Sequence, residues 1–182
     1  MTKRKTIPRK PGTEPNQATG HVRTNYPVLA GMTNHCFGCA ADNRQGLRLR
    51  FMECPEDGSV ECVFRVARRF EGPPGHVHGG IIATILDEAM GKVNRRKGIV
   101  ALTGYMSIDY LQPVPLGVKL RAVGWPVKQQ GRKHFHAGEI RTFDGVVLAR
   151  SEGLFIAIDP VEMFHKHRDR MAANRRNARH GN

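Results

Sequence analysis

A single long, apolar helix is the feature that most constrains how this chain folds. From Gly79 the sequence runs GGIIATILDEAMG, and its apolar residues occupy more than one face of a helix. Such a pattern predicts a helix that is wrapped by other elements rather than laid on a surface. Asp87 and Glu88 interrupt the apolar run. Because neighbouring helical residues point about 100° apart, we expect at most one of them to face a buried cleft.

The start of this helix favours the binding of a negatively charged oxygen. The first N–H groups of a helix have no intrahelical partner and lie at the positive end of its dipole. Glycine at positions 79 and 80 would let a ligand oxygen approach these amides closely, as an oxyanion hole requires. The alternative reason for Gly79 and Gly80 is tight packing of the helix on a sheet.

Gly79 and Asp87 are too far apart on the helix to act on one carbonyl carbon within one chain. Eight residues separate them, a rise of about 12 Å. If both groups act on one substrate, one protomer supplies the amide and another supplies the acid, so we infer a homodimer. Burial among apolar residues should raise the pKa of Asp87. The alternative role of Asp87 is that of a buried polar residue bonded to a backbone group.

The charge distribution predicts one folded domain between two basic arms. The chain has 182 residues and a net charge of +13; residues 1–26 hold six basic residues against one acid, and residues 161–182 hold six against two. We expect a flexible N-terminal arm at 1–26, a folded domain at 27–160 and a basic C-terminal tail at 161–182. Basic arms can bind nucleic acid nonspecifically, but solubilising arms are the favoured interpretation, and nucleic acid is not an expected partner.

The sequence predicts neither a membrane span nor a secretory signal. It contains no run of 18 apolar residues, and no hydrophobic segment follows the basic N-terminus. We therefore expect a cytoplasmic protein. In that compartment the four cysteines should be reduced thiols; they are Cys36, Cys39, Cys54 and Cys62.

Strand patterns lie on both sides of the helix. Leu47, Leu49 and Phe51 alternate with arginines, and residues 60–66 alternate in the same way after a turn at 56–58, which predicts a hairpin. Beyond the helix, the patterns predict four strands, at residues 99–111, 116–128, 132–142 and 146–158. One buried helix among antiparallel strands predicts an α+β fold in which the sheet curls around the helix.

Several motifs together resemble those of a known family. They are Cys36-Phe37-Gly38-Cys39, FEGPPG at residues 70–75, His78-Gly79-Gly80 with Asp87 nine residues after the histidine, and Thr103 upstream of Tyr110-Leu111-Gln112-Pro113. On these residues, and from about Cys36 to Ile158, the chain resembles the hotdog-fold acyl-CoA thioesterases of the hydroxybenzoyl-CoA/phenylacetyl-CoA thioesterase-like superfamily. The resemblance implies an antiparallel sheet around one long central helix, and homodimers that often stack into homotetramers.

The resemblance also implies hydrolysis of an acyl-CoA thioester to a carboxylic acid and CoA, with no cofactor. Asp87 would act as general base or nucleophile, and the Gly79 N–H would polarise the thioester oxygen. Thr103 would hold the attacking water, and His78 would position the loop or contact the substrate. Other substrate contacts are expected beside these residues and, for the CoA phosphates, at a turn: Gly80, Glu88, Arg132 and Lys133. For Glu88, a solvated or salt-bridged carboxylate is the favoured alternative.

One position departs from the family pattern. Some relatives carry an asparagine six residues before the histidine, as a second polar contact at the reaction centre. In this chain that position is Gly72. The wall of the site should therefore differ, and with it the choice of substrate.

No metal site is expected. His76 and His78 lie two residues apart without a third ligand at a suitable spacing. Cys36 and Cys39 would need a second, closely spaced pair to complete a zinc site, and the remaining ligand types are scattered: His35, Cys54 and Cys62. A structural turn is the favoured interpretation of the two cysteines.

The alternative function is a hotdog protein that binds acyl-CoA without hydrolysing it, as a sensor or a carrier. Such a protein would not need an acid at Asp87, whereas a hydrolase would. The presence of Asp87 at the required spacing from His78 therefore favours the enzyme.

Overall fold

The computed structural model describes residues 19–21 and 35–163. All neighbouring strands are antiparallel, in the sheet order β1-β2-β3-β5-β6-β7-β4. One long helix follows the third strand, so the predicted α+β hotdog architecture is confirmed. The elements in chain order are β1 (Thr19–His21), β2 (Met52–Cys54), β3 (Ser59–Phe64), α1 (Gly79–Arg96), β4 (Ala101–Tyr110), β5 (Leu120–Gln130), β6 (Lys133–Arg141) and β7 (Val147–Ala157).

Helix α1 is enclosed, as its sequence predicted. No residue from 81 to 96 is exposed, because the helix contacts five of the seven strands, β3 to β7. Each aliphatic side chain that is fully buried contributes about 1.5–3 kcal/mol to the stability of the fold. The fully buried apolar residues recur at helical spacing and form one stripe against the sheet: Ile82, Ile85, Leu86, Ala89, Met90 and Val93.

Two glycines of the sheet set how closely the helix approaches it. A Cβ added at Gly124 in β5 would collide with the backbone carbonyl of Ala89 in α1. A Cβ added at Gly138 in β6 would lie 3.2 Å from Cγ of Met90. The helix backbone therefore rests almost directly on the sheet backbone at β5, a spacing that only glycine permits.

The loop that leads into α1 is fixed by backbone hydrogen bonds. It begins with a 3₁₀ turn at Arg68–Phe70. The His78 N–H donates to the carbonyl oxygen of Phe70 at 3.0 Å, and the Gly72 N–H donates to that of His76 at 2.9 Å. These bonds hold the residues just before the helix, so the position of the helix start is fixed as well.

The first predicted strand is only partly a strand. Leu49 and Phe51 are buried while Arg48 and Arg50 are exposed, in agreement with the predicted alternation. The hydrogen-bonded ladder, however, contains only Met52–Cys54. The φ angle of Arg48 is 53°, in the left-handed region, and a residue in that conformation interrupts an extended strand.

The predicted N-terminal arm contains one strand. β1 pairs with β2, so Thr19–His21 belong to the sheet although they fall within the predicted arm, 1–26. The rest of that arm and the predicted tail beyond residue 163 lie outside the described residues.

Two further sequence-based predictions concern the state of the cysteines and a membrane-spanning segment. All four cysteines are thiols rather than disulfides, as predicted. Cys62 packs inward beside Val60 and Phe64 of β3. Among the described residues, no helix is both long and apolar enough to traverse a bilayer.

Gly124→Ala should lower the free energy of unfolding, by about 1–3 kcal/mol. The added methyl group would collide with the helix backbone at Ala89, so the helix would have to shift away from the sheet. Gly91→Ala in α1 is the matched control, because its methyl group would meet only Cε1 of Phe155, at 3.8 Å. Alanine favours a helix over glycine by up to about 1 kcal/mol, so this control should be neutral or stabilising. Urea unfolding of both variants tests the prediction, and equal effects would contradict it.

Candidate active site

Asp87 and Thr103 meet where α1 crosses the edge strand β4. The Thr103 hydroxyl donates a hydrogen bond to Oδ1 of Asp87 at 2.7 Å. Asp87 is half-buried on the helix, whereas Thr103 is exposed at the third position of the strand. The acid and the hydroxyl that the resemblance names as catalytic partners are therefore in direct contact.

Burial raises the pKa of Asp87 above its ordinary value. The hydrogen bond from Thr103 stabilises the charged form and lowers the pKa, but desolvation outweighs it, and the neighbouring charge of Glu88 raises the pKa further. The direction of the shift agrees with the sequence-based prediction. A carboxylate with raised basicity is a better acceptor for the proton of a water molecule near neutral pH.

His78 caps the N-terminus of α1. Its Nδ1 accepts a hydrogen bond from the Gly80 N–H at 3.0 Å, and its carbonyl oxygen accepts from the amides of Ile81 and Ile82. Of the first four amides of the helix, only that of Gly79 forms no hydrogen bond within the described part of the chain. His78 thus organises the helix tip and leaves one amide open to a ligand.

Tyr110, the last residue of β4, touches the same helix tip. Its hydroxyl donates a hydrogen bond to the carbonyl oxygen of Gly79 at 3.2 Å. The motif on which the resemblance rests includes Tyr110, yet this contact was not predicted. A tyrosine at a strand end carries no information about the element that its hydroxyl will reach.

The two contact pairs lie toward opposite ends of β4. The Asp87–Thr103 pair is near the first residue of the strand, and the Gly79–Tyr110 pair is at its last. Along the helix axis, Asp87 is about 12 Å from Gly79. Within one chain, therefore, a single carbonyl group cannot reach both the open amide and the acid.

Glu88 points away from β4. It forms an ion pair with Lys92 at 3.2 Å and accepts a hydrogen bond from the Cys36 thiol at 3.3 Å. Lys92 is buried and also donates to Sγ of Cys39 at 3.0 Å. The four-residue spacing of Glu88 and Lys92 is a sequence signal that could have predicted their ion pair. Of the two adjacent acids, only one faces β4, as the geometry of a helix predicted.

The departure at Gly72 has a steric explanation. A Cβ at this position would lie 2.8 Å from the Cα of His78, which is closer than real Cβ atoms approach a backbone. An asparagine there would displace the loop that sets up the helix tip. The glycine is therefore part of how this chain positions His78.

The remaining predicted residues lie at a distance from these contacts. Arg132 and Lys133 are exposed at the turn between β5 and β6. Strand β7 lies between β6 and β4 in the sheet. Lys133 pairs with Ile156 of β7, and Ile156 pairs on its other side with Leu102 of β4, so the turn lies level with the start of β4 but one strand away. Their predicted contact with the CoA phosphates stays a prediction.

The potential metal ligands gather in one place within residues 35–163. Cys36, Cys39 and Glu88 present ligand atoms that lie within 4.8 Å of one another. The two histidines before the helix do not share a ligand position, since Nδ1 of His76 is 2.9 Å from the carbonyl oxygen of Pro74 and Nδ1 of His78 caps the helix.

Comparison with known sequences identifies proteins related to this chain. The sequence profile of the Thioesterase superfamily matches residues 74–149, which include both contact pairs. Acyl-coenzyme A thioesterase THEM4 of Rattus norvegicus is 37% identical over 102 residues, which are 56% of this chain and 44% of the rat protein. THEM4 of Xenopus laevis is 36% identical over 102 residues, 54% of this chain and 45% of the frog protein. The chain thus spans less than half the length of these curated relatives.

Comparison with solved structures points to the same family. The thioesterase superfamily protein RHA08564 superposes with a TM-score of 0.64 and 36% identity, over 67% of this chain and 63% of that one. The BH2602 protein of Bacillus halodurans, solved with CoA, superposes with a TM-score of 0.55 and 33% identity, over 62% of this chain and 76% of that one. The profile match, these relatives and the sheet wrapped around α1 agree: the chain belongs to the thioesterase superfamily and has its hotdog fold.

Proposed function

We propose that this chain hydrolyses an acyl-CoA thioester to a carboxylic acid and CoA, at a site built by two protomers. The observation that carries the proposal is the half-buried Asp87, which accepts a hydrogen bond from Thr103 at 2.7 Å. Relatives named acyl-coenzyme A thioesterase and a relative solved with CoA support acyl-CoA as the class of substrate.

Asp87 acts on the thioester carbonyl in one of two ways. As a general base, it takes a proton from a water molecule that attacks the carbonyl carbon, while Thr103 keeps the carboxylate and the water aligned. As a nucleophile, it attacks the carbon itself, expels the CoA thiolate and forms an anhydride that water then cleaves. Single turnover in ¹⁸O-labelled water tests the nucleophilic route: the label enters the enzyme carboxylate when water attacks the Asp87 carbonyl of the anhydride, whereas the general-base route never places it there.

The open amide of Gly79 donates a hydrogen bond to the oxygen of the same carbonyl group. Negative charge develops on the thioester oxygen as the tetrahedral intermediate forms, and a fixed N–H at the positive end of α1 stabilises it. The cap by His78 on Gly80 supports this role, because it leaves the Gly79 amide as the donor that faces outward.

The edge strand β4 supports pairing of two protomers. Within the described residues, β4 is the outer strand of the sheet and pairs only with β7. Leu102, Tyr105 and Tyr110 in this strand are 45%, 57% and 55% exposed. A long edge strand with open backbone groups and exposed apolar side chains is a template for another strand. A second copy of β4 is its proposed partner.

A bulge in β4 brings Thr103 and Tyr110 to the same face of the strand. Thr103 and Tyr110 are seven residues apart, a spacing that would place them on opposite faces of a regular strand. The register of β4 on β7 shifts between Thr103 and Tyr105, which adds one residue and returns both side chains to the helix-facing side. Their contacts with Asp87 and Gly79 are consistent with that placement.

Antiparallel pairing of β4 with its copy, centred near Ser107, would set Thr103 of one protomer opposite Tyr110 of the other. Asp87 would then face the Gly79 amide of the other protomer. Two such sites would form, related by the twofold axis of the dimer. The amide and the acid, which are about 12 Å apart along the helix of one chain, would thus come together from two chains.

Asp87→Asn should lower kcat/KM by about 10²–10⁴-fold, because the amide cannot accept the proton that the carboxylate accepts. Thr103→Val, which keeps the shape of the side chain, should cause a smaller loss. Release of free CoA thiol from short-chain, long-chain and aromatic acyl-CoAs measures both effects. Full activity of Asp87→Asn would contradict the assignment, and a wild-type protein that binds all these substrates but releases no CoA would favour the acyl-CoA-binding alternative.

The pH dependence of kcat/KM should report the raised pKa of Asp87. The base form is the carboxylate, so activity should fall as the pH is lowered through this pKa, at a higher pH than for an ordinary aspartate. Thr103→Val removes the contact that lowers the pKa and should move the acid limb to higher pH. An acid limb that does not move would contradict the proposed coupling.

Asp87→Asn should stabilise the fold at neutral pH while it removes activity. The pKa of Asp87 is raised in the folded state, so the folded state disfavours the charged form. The resulting loss of stability is absent below the unfolded pKa of about 3.9 and develops as the pH rises through the folded value. Thermal unfolding at pH 7 and at pH 3 measures this, and we expect the gain in Tm to disappear at the lower pH.

Two inactive variants should restore activity when mixed. Gly79→Pro removes the amide donor but suits the first position of a helix, and the preceding His78 already has the extended backbone that proline requires, with φ −61° and ψ 138°. A mixed dimer of Gly79→Pro and Asp87→Asn would contain one site with both groups intact and one site with neither. With random exchange of protomers, about a quarter of wild-type activity should return.

The control is Gly79→Ala, which keeps the amide and should retain activity, since its methyl group would meet the Tyr110 ring only at 3.8 Å. If both groups of a site came from the same chain, no mixture would recover activity. That result would contradict the shared site without contradicting hydrolysis itself.

A further inference from the structure

A second cluster of reactive side chains lies on the side of α1 that faces away from Asp87. This thiol cluster consists of Cys36, Cys39, Glu88 and Lys92. The two sulfur atoms and a carboxylate oxygen of Glu88 lie within 4.8 Å of one another. Lys92 Nζ is 3.0 Å from Sγ of Cys39 and 3.2 Å from Oε2 of Glu88. The chemistry proposed for Asp87 uses none of these groups.

The two cysteines belong to one tight turn that is pressed against the helix. The Ala40 N–H donates to the carbonyl oxygen of Cys36 at 3.1 Å, which closes the turn. Gly38, between the cysteines, lies so close to Glu88 that an added Cβ would be 2.5 Å from its Cγ. The turn therefore holds the two sulfur atoms on the same side, next to each other and against α1.

The two thiols differ in exposure and in acidity. Cys36 is half-buried, whereas Cys39 is buried. A hydrogen bond from the Cys39 thiol lowers the pKa of Cys36 to about 7, against the opposing effects of burial and of the Glu88 charge. The same hydrogen bond, together with burial, raises the pKa of Cys39. At neutral pH the accessible thiol is thus partly thiolate, and the buried one keeps its proton.

Lys92 places a positive charge inside this cluster. Burial alone would lower its pKa, but Glu88 and Cys39 outweigh burial and raise it, so the ammonium stays charged. A lysine is rarely buried unless it is paired. The ion pair with Glu88 accounts for the burial of Lys92, and the same ammonium lies beside Sγ of Cys39, where a cation stabilises a thiolate.

We propose that Cys36 and Cys39 form a redox-active dithiol that exchanges with small-molecule disulfides, with Cys36 as the attacking thiol and Cys39 as the resolving thiol. The proposal rests on the proximity of the two sulfur atoms in one turn, the access to Cys36 and the ammonium of Lys92 beside Cys39. It is independent of the proposed hydrolysis.

The exchange takes place in two balanced steps. The Cys36 thiolate attacks one sulfur of a disulfide RSSR, which forms a mixed disulfide and releases RS⁻. Cys39 then loses its proton, and its thiolate attacks the Cys36 sulfur, forms the Cys36–Cys39 disulfide and releases the second RS⁻. The two protons from the cysteines convert the leaving groups into two RSH, and two electrons pass from the protein to RSSR.

Lys92 has its effect in the second step. Cys39 is a poor nucleophile while it is protonated, and the ammonium at 3.0 Å stabilises the negative charge that develops on its sulfur. Once the Cys36 sulfur is in a mixed disulfide, the hydrogen bond that keeps the proton on Cys39 is lost as well. The buried thiol of Cys39 is therefore activated only after the half-buried thiol of Cys36 has reacted.

Zinc is the competing occupant of this cluster. Two thiolates and one carboxylate are suitable ligands, but a structural zinc site has four. In the part of the chain that the structure describes, the group contains three donors, and the Lys92 ammonium lies against two of them. A fixed positive charge in that position would repel a metal ion, so the geometry favours disulfide exchange.

The test uses the full-length protein, reduced and then equilibrated with mixtures of glutathione and glutathione disulfide. Remaining thiols are alkylated at each ratio and located by peptide mass spectrometry. We expect Cys36 and Cys39 to lose alkylation together and to appear as one peptide with an internal disulfide. Cys62, which is buried in β3 and whose pKa burial raises to about 12, should stay reduced under the same conditions.

Three variants separate the steps. Cys39→Ser should stop the reaction at the mixed disulfide, so that a glutathione adduct accumulates on Cys36. Cys36→Ser should leave Cys39 reduced, since a buried thiol of raised pKa does not attack first. Cys62→Ser is the matched control and should behave like the wild type. In the reduced protein, alkylation of Cys36 should show a pH midpoint near 7, against about 8.5 for an ordinary thiol.

The proposal fails if Cys36 and Cys39 stay open to alkylation at every ratio of the two glutathione forms, or if Cys39→Ser gains no adduct. It also fails if the purified protein contains one zinc ion per chain whose removal by a chelator alone exposes both thiols. Either outcome leaves the proposed hydrolysis at Asp87 unaffected.

Discussion

The contact between the backbones of α1 and β5 at Gly124 is the constraint on which the rest of the structure depends. Because Gly124 has no Cβ, the helix can rest on the sheet at Ala89, and the apolar stripe beside Ala89 then locks the rotation of the helix about its axis. Side chains leave a helix in fixed directions. The packing at Ala89 therefore also decides where its neighbours Asp87 and Glu88 point.

This rotation gives two adjacent acids different surroundings. Asp87 is turned to the edge strand, where a neutral hydroxyl offsets part of its desolvation and leaves its pKa raised. Glu88 is turned about 100° from Asp87, toward the ammonium of Lys92, which compensates its charge, and the thiol of Cys36, which donates to it. A carboxylate beside a neutral donor remains available to take a proton, whereas the Glu88 carboxylate is occupied by an ion pair and a hydrogen bond. The fold thus separates the two roles although the residues are neighbours in sequence.

Periodicity predicted the enclosed helix, the four strands after it and the inward face of β3, because buried apolar residues repeat with the geometry of their element. It failed where a single backbone angle decides the structure, as at Arg48, whose positive φ interrupts an otherwise regular alternation. The Asp87–Thr103 contact was expected from a resemblance, since no local rule relates residues on two elements. Tyr110 and Lys92 were missed as functional neighbours for the same reason, although Lys92 lies one helical turn after Glu88 and could have been paired with it.

Strand β4 is both an open sheet edge and part of the proposed reactive site. Proteins protect long edge strands because exposed backbone groups pair with other chains, yet β4 presents large apolar side chains and carries both Thr103 and Tyr110. In the proposed dimer, one pairing event covers the edge and completes the site, so assembly and activity cannot be separated by mutation of the edge. The bulge beside Thr103 is then the decisive element of the strand. Without it, Thr103 and Tyr110 would face opposite sides of the sheet, and pairing would bring no amide to the acid.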